Sequence, residues 1–131
     1  MNKQKPINIY NNEIVPKIKE IDIFLKTNEH MSLKDVSKVL DIDEEELKEI
    51  LTKINQTEIN SSNFLNIMLN GSSHICKVLK REIECGSPYF YSPKDLSYIY
   101  ELNYEKVSQA YKFLNMEKIT AKQIPIILIQ I

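Results

Sequence analysis

The stretch Ser92–Leu114, SPKDLSYIYELNYEKVSQAYKFL, reads as two short helices around a tight turn. Sixty residues earlier, Ser32–Ile54, SLKDVSKVLDIDEEELKEILTKI, lies on it without a gap. In the earlier stretch Ser32 stands where a helix N-cap accepts from the backbone amides that follow, with Asp35 in a box-like position. Leu33, Val36, Val39 and Leu40 then line one face, Asp41-Ile42-Asp43 makes the turn, and Asp43 caps a second helix carrying Leu47, Ile50, Leu51 and Ile54 on one stripe.

The same register extends outward in both directions. Val15, Lys17, Ile18, Asp22 and Ile23 meet Ile75, Lys77, Val78, Glu82 and Ile83, and Asn55 and Ile59 meet Asn115 and Ile119. Like residues at cap, turn and core positions are what two copies of one supersecondary unit share, because those positions set geometry. The reading is an all-α fold of two tandem three-helix units packed together. A loosely held N-terminal arm occupies 1–12, with Ile7, Ile9 and Tyr10 pairing as a short strand the alternative; an acidic first unit occupies 13–71 and a mildly basic second unit 72–131. Phe64–Leu69 reads most simply as a short helix with Gly71 as its left-handed stop, sealing the first core, with a buried strand as the alternative. The tail Gln123–Ile131, QIPIILIQI, is dense in β-branched residues and is read as a short C-terminal strand or extended plug, with Pro125 confined to its start. Pro16 is placed in the first turn of a helix over Glu13–Lys26, where its missing N–H does little harm.

Composition sets the outer bounds. In 131 residues there is room for one ordinary domain or two very small ones, and 43% apolar residues argues for a folded chain. Two glycines and no tryptophan favour helices over a turn-rich β-sandwich. No segment approaches the roughly 20 apolar residues of a spanning helix, so a cytoplasmic location with no membrane association is expected. The net charge of −1 is unevenly spread: residues 13–72 carry 7 lysines against 12 acids, and residues 73–131 carry 8 basic residues against 6 acids.

The residues LKDVSKVLDIDEEELKEIL and PKDLSYIYELNYEKVSQAYKFL resemble the helix-turn-helix superfamily of bacterial regulators, over about 22 residues in each copy. Ser37 and Ser97 stand where the family keeps a small residue in the first helix. Ile42 and Leu102 follow the turn, and Asp43 and Asn103 cap the second helix. The departure is at the turn, where the family prefers glycine and this chain has Asp41 and Glu101. The resemblance implies that the second helix enters the major groove of DNA. In the first copy its leading residues are Asp43, Glu44, Glu45 and Glu46, which phosphates would repel. In the second they are Asn103, Tyr104, Glu105, Lys106, Ser108 and Gln109, with Lys94 and Lys112 nearby for backbone contact. Asn and Gln suit bidentate adenine recognition.

The tyrosines point elsewhere. Six of the chain's seven, Tyr89, Tyr91, Tyr98, Tyr100, Tyr104 and Tyr111, fall within 25 residues together with Phe90 and Phe113. In the repeat register Tyr100 and Tyr111 match Leu40 and Leu51 and are assigned to the core. Tyr98 and Tyr104 match Lys38 and Glu44 and should be exposed. With Tyr89 and Phe90 they would form an aromatic patch of the kind enriched at protein interfaces, for a protein partner or self-association. The alternative is that the loop aromatics fold back over a small core.

No catalytic constellation emerges. His74, Cys76 and Cys85 are rejected as metal ligands, because positions nine apart on one helix lie about 180° around its axis. There is no glycine-rich phosphate loop, and Asp41–Glu46 lacks the spacing and glycine of a calcium loop. The expectation is a non-enzyme with no cofactor and no small-molecule substrate: a small regulator that binds DNA through its second unit, or an adaptor that keeps the shape without binding nucleic acid.

Overall fold

The computed structural model describes residues 5–27 and 30–131 and is mostly helical. The chain divides into two compact units, Val15–Lys80 and Met1–Ile14 with Arg81–Ile131.

In the unit Val15–Lys80, helix α2 (Val15–Thr27) precedes strand β1 (His30–Met31), α3 (Leu33–Leu40), α4 (Glu44–Lys53), strand β2 (Ile59–Asn60), α5 (Phe64–Leu69) and most of α6 (His74–Glu84). Ser32 begins α3 by accepting from the Asp35 amide at 3.1 Å. Asp41 ends it in the left-handed conformation, φ 56°, and the Ile42 amide reaches back to the Ser37 carbonyl at 3.1 Å. That six-residue closure is the Schellman pattern, with aspartate in the position glycine most often takes. Asp43 then caps α4, accepting from the Glu46 amide at 2.7 Å. Between α4 and α5 the chain returns to β1 and pairs antiparallel, Met31 opposite Ile59. Val36, Val39, Leu40, Leu47, Ile50, Phe64, Ile67 and Met68 are buried here. Asn63 is buried with them and satisfied: its Nδ2 donates to the Glu58 carbonyl at 2.7 Å and its Oδ1 accepts from the Asn60 amide at 2.9 Å.

In the other unit the same local devices recur sixty residues on. Ser92 and Asp95 form a full capping box at the start of α7 (Pro93–Ile99). Glu101 is left-handed at φ 54°, the Leu102 amide bonds the Ser97 carbonyl at 2.9 Å, and Asn103 caps α8 (Tyr104–Phe113). The bridge Tyr91 to Ile119 repeats Met31 to Ile59, and α9 (Ile124–Ile129) repeats α5 to the residue. Val107, Ala110, Tyr111, Ile124, Ile127 and Leu128 fill this core.

Four expectations are corrected. The tail is helix and not strand: Gln123 Oε1 accepts the Thr120 amide at 2.9 Å, Pro125 falls in the first turn of α9, and Ile124, Ile127 and Leu128 are buried while Ile126 and Ile129 face out. Burial at spacings of three and one is helical; a strand would have buried alternate residues. The arm is helical from Pro6, as α1 (Pro6–Ile9) and a π-helical turn Tyr10–Ile14 that runs into α2; its residues 1–4 lie outside the described residues. Pro16 is the second residue of α2, and because the π turn leads into that helix it stands inside a longer helical run. Gly71 does not take a positive φ, unlike Gly86. Its contribution is room, since a Cβ there would stand 2.5 Å from Cys76 Sγ and 3.1 Å from Cys76 Cβ.

Gly71→Ala should therefore lower stability in urea unfolding by about 1–3 kcal/mol, the usual cost of overpacking. Adding Cys76→Ala should cost less on the alanine background than on the parent, because it removes the clashing sulfur.

Candidate interaction surfaces

The outward face of α8 is set by what its other face buries. Val107, Ala110 and Tyr111 point inward, which leaves Tyr104, Glu105, Lys106, Gln109, Lys112 and Phe113 exposed and Ser108 half-buried. Neither the Lys106 and Lys112 ammonium groups nor the Gln109 amide makes a hydrogen bond or ion pair with another described residue. Asn103 differs. Its Oδ1 accepts the Lys106 amide at 3.1 Å, so that oxygen is committed to capping the helix. Lys94 is exposed in the first turn of α7.

The matching face of α4 is occupied by acids. Asp43 is the cap, and Glu46 accepts from the Ser72 amide at 2.8 Å and the Ser72 hydroxyl at 2.6 Å. Carboxylates in the first turn of a helix also meet the positive end of its dipole, so this run has a structural role as cap, tie and dipole partner. Charge divides less sharply between the two compact units than across the boundary expected from the sequence: residues 15–80 carry nine lysines against eleven acids, and residues 1–14 with 81–131 carry eight basic residues against seven acids. The contrast softens because Lys77 and Lys80 belong with the acidic helices.

The aromatic residues separate into two sets. Tyr89 is 77% exposed and Phe90 52%, with their rings edge to face at 4.7 Å. Tyr98 and Tyr104 are exposed as their register implies, although the Tyr98 hydroxyl is tied to the Glu84 carboxylate. No ring contact joins Tyr98 or Tyr104 to the Tyr89–Phe90 pair among the described residues. Phe113, 77% exposed at the end of α8, was not among the interaction residues expected from the sequence. The repeat carried the signal, since Phe113 lies on Lys53.

The second set is internal. Tyr111 is buried and its hydroxyl donates to the Tyr91 carbonyl at 2.9 Å; the buried Tyr91 hydroxyl donates to Glu82; Tyr100 is half-buried with Tyr10 edge-on at 5.6 Å. Burial pushes the phenols of Tyr91, Tyr100 and Tyr111 well above their ordinary value, and the Glu82 carboxylate adds to the effect at Tyr91.

No described helix is long and apolar enough to cross a membrane. No protein-family model matches the chain, and no curated protein or solved structure shows significant similarity to it.

The raised phenols hold their protons more tightly folded than unfolded. Their contribution is complete below about pH 10, the unfolded value, and declines as pH rises beyond it. The urea midpoint should therefore fall on going from pH 9 to pH 11. Tyr100→Phe should show a smaller fall than the parent, measured by far-ultraviolet circular dichroism.

Proposed function

We propose that this chain is a small helix-turn-helix-type regulator of the cytoplasm whose second unit binds duplex DNA through α8, and that its two units arose by duplication. The observation that carries the reading is the outward face of α8: Lys106, Gln109 and Lys112 are exposed, their side chains make no polar contact with other described residues, and they stand on a helix capped and turned as a reading helix requires. The recurrence of caps, left-handed residues and bridges at a constant offset of sixty supports duplication. The acids on α4 confine the DNA-binding role to the second unit.

A second reading is supported by Phe113, Tyr89 and Phe90, large aromatic side chains at 52–77% exposure. Exposed rings of this kind suit a protein partner or self-association, in which the unit keeps its shape and binds no nucleic acid.

Fluorescence anisotropy with a random AT-rich duplex separates the two. With Lys94, Lys106 and Lys112 on phosphates, affinity should drop roughly 40-fold between 50 and 200 mM salt. Lys106→Glu should abolish binding. An absence of binding at about 50 mM salt, or indifference to Lys106→Glu, removes the DNA reading. In that case Phe113→Ser and Tyr89→Ser should shift the molar mass by light scattering or eliminate recovery of a defined partner.

A further inference from the structure

The residue that ends α7 is Glu101, held at φ 54°, a conformation that L-residues other than asparagine and aspartate seldom take. Arg81, from the last turn of α6, reaches both sides of that turn. Its Nε donates to the Ile99 carbonyl at 2.9 Å, one of the carbonyls that a helix C-terminus leaves without an internal partner, and its Nη1 pairs with Glu101 Oε1 at 2.7 Å. The Arg81 side chain is 13% exposed and its Nη2 has no hydrogen-bond partner among the described residues, so the group is kept in place despite an unfilled buried donor.

The other unit holds the same turn with different residues. Asp41 is at φ 56°, and Lys17 of α2 donates to the Lys38 carbonyl at 3.4 Å and pairs with Asp41 Oδ1 at 3.1 Å. Burial alone would lower the Lys17 pKa, but its bonds to Asp41 and Glu20 outweigh that and raise it. In the repeat register Lys17 corresponds to Lys77, and Arg81 to Ile21. The two cations are thus four positions apart, one helical turn along the same face, and the contact exists in both units although the residue that makes it is not the one the repeat would carry over.

We infer that a cation from the preceding helix, Arg81 in one unit and Lys17 in the other, clamps an acidic left-handed residue and a helix-terminal carbonyl, in place of the glycine that such turns ordinarily use. Arg81 is accordingly the positioning residue that sets the angle at which α8 is presented, a role that rests on the reading of α8 as the DNA-binding helix. The clamp explains why an acid stands at each turn. A carboxylate there can be tied to the cation, whereas glycine needs no tie because it takes positive φ without a steric cost.

Amide hydrogen exchange tests this, read at Leu102, whose N–H closes the α7 turn, and at Ile42, which closes the α3 turn. Arg81→Met should speed exchange at Leu102 by about tenfold, as expected when charge-assisted bonds are lost. On a Glu101→Gly background the same substitution should change it by less than about threefold, because glycine holds the turn unaided. Lys17→Met with and without Asp41→Gly gives the parallel comparison at Ile42 in the other unit, so the outcome does not depend on Arg81→Met folding. Methionine variants that leave both amides within about twofold of the parent, or that accelerate them equally on the glycine background, overturn the clamp. DNA anisotropy on the same proteins reads the positioning role: affinity should weaken in Arg81→Met and recover in the double variant. Equal loss in both assigns Arg81 to direct contact and overturns positioning. No binding by the parent sinks the DNA reading, and with it positioning, while exchange still decides the clamp.

Discussion

A helix that must stop and restart within three residues needs one residue at positive φ, and in this chain that constraint governs both units. Asp41 and Glu101 supply it, each closing a helix through a bond from the following amide to a serine carbonyl, Ser37 or Ser97. The next residue, Ile42 or Leu102, is thereby turned inward, and the one after, Asp43 or Asn103, is placed to cap the second helix. If the turn opened, the cap and the inward apolar residue would lose their register together, and α4 or α8 would have no fixed direction. Glycine would meet the requirement without help. An acid meets it when a cation holds the carboxylate and the helix end.

The polar chemistry of each unit follows from where its caps fall. The amide oxygen of Asn103 is committed to the Lys106 backbone, so this side chain serves as a cap. Glu46, one of four consecutive carboxylates, is bonded twice to Ser72. A row of acids that looks like a charged surface is in part the internal fastening of a helix N-terminus. What remains available for a partner is what the caps, ties and core leave over, chiefly Lys106, Gln109, Lys112 and the exposed rings of Tyr104 and Phe113.

Tyrosine supplies the bulk that a core with no tryptophan needs, and its hydroxyl then requires a partner. Tyr111 finds the Tyr91 carbonyl and Tyr91 finds Glu82, so polar bonds accompany the burial of two large rings. At Tyr89, Phe90 and Phe113 no such burial occurs. The same compositional bias thus built both a core and a surface, and only position in the repeat separates them: rings matching leucine or methionine point in, and rings matching lysine, glutamate or histidine point out.

The sequence by itself determined the helices on either side of the two turns, their caps and the offset of sixty, because these depend on neighbours within four residues and on apolar spacing along one helix. Ser32, Asp43, Ser92 and Asn103 were legible as caps for that reason. The α-helical class was equally legible, as was the exposure of Tyr98 and Tyr104. Tertiary structure decided the rest. Ile124–Ile129 is β-branched and reads locally as strand, but it lies against a core that accepts one helical stripe, and burial at 124, 127 and 128 overrides propensity. Gly71 reads as a helix stop, whereas the neighbour it must avoid, the Cys76 side chain, becomes visible only when the chain is folded. Arg81 and Lys17 look like ordinary helix-surface cations in the sequence. Their partners lie about twenty residues away, a separation that no local pattern spans, and only packing brings them to the turn.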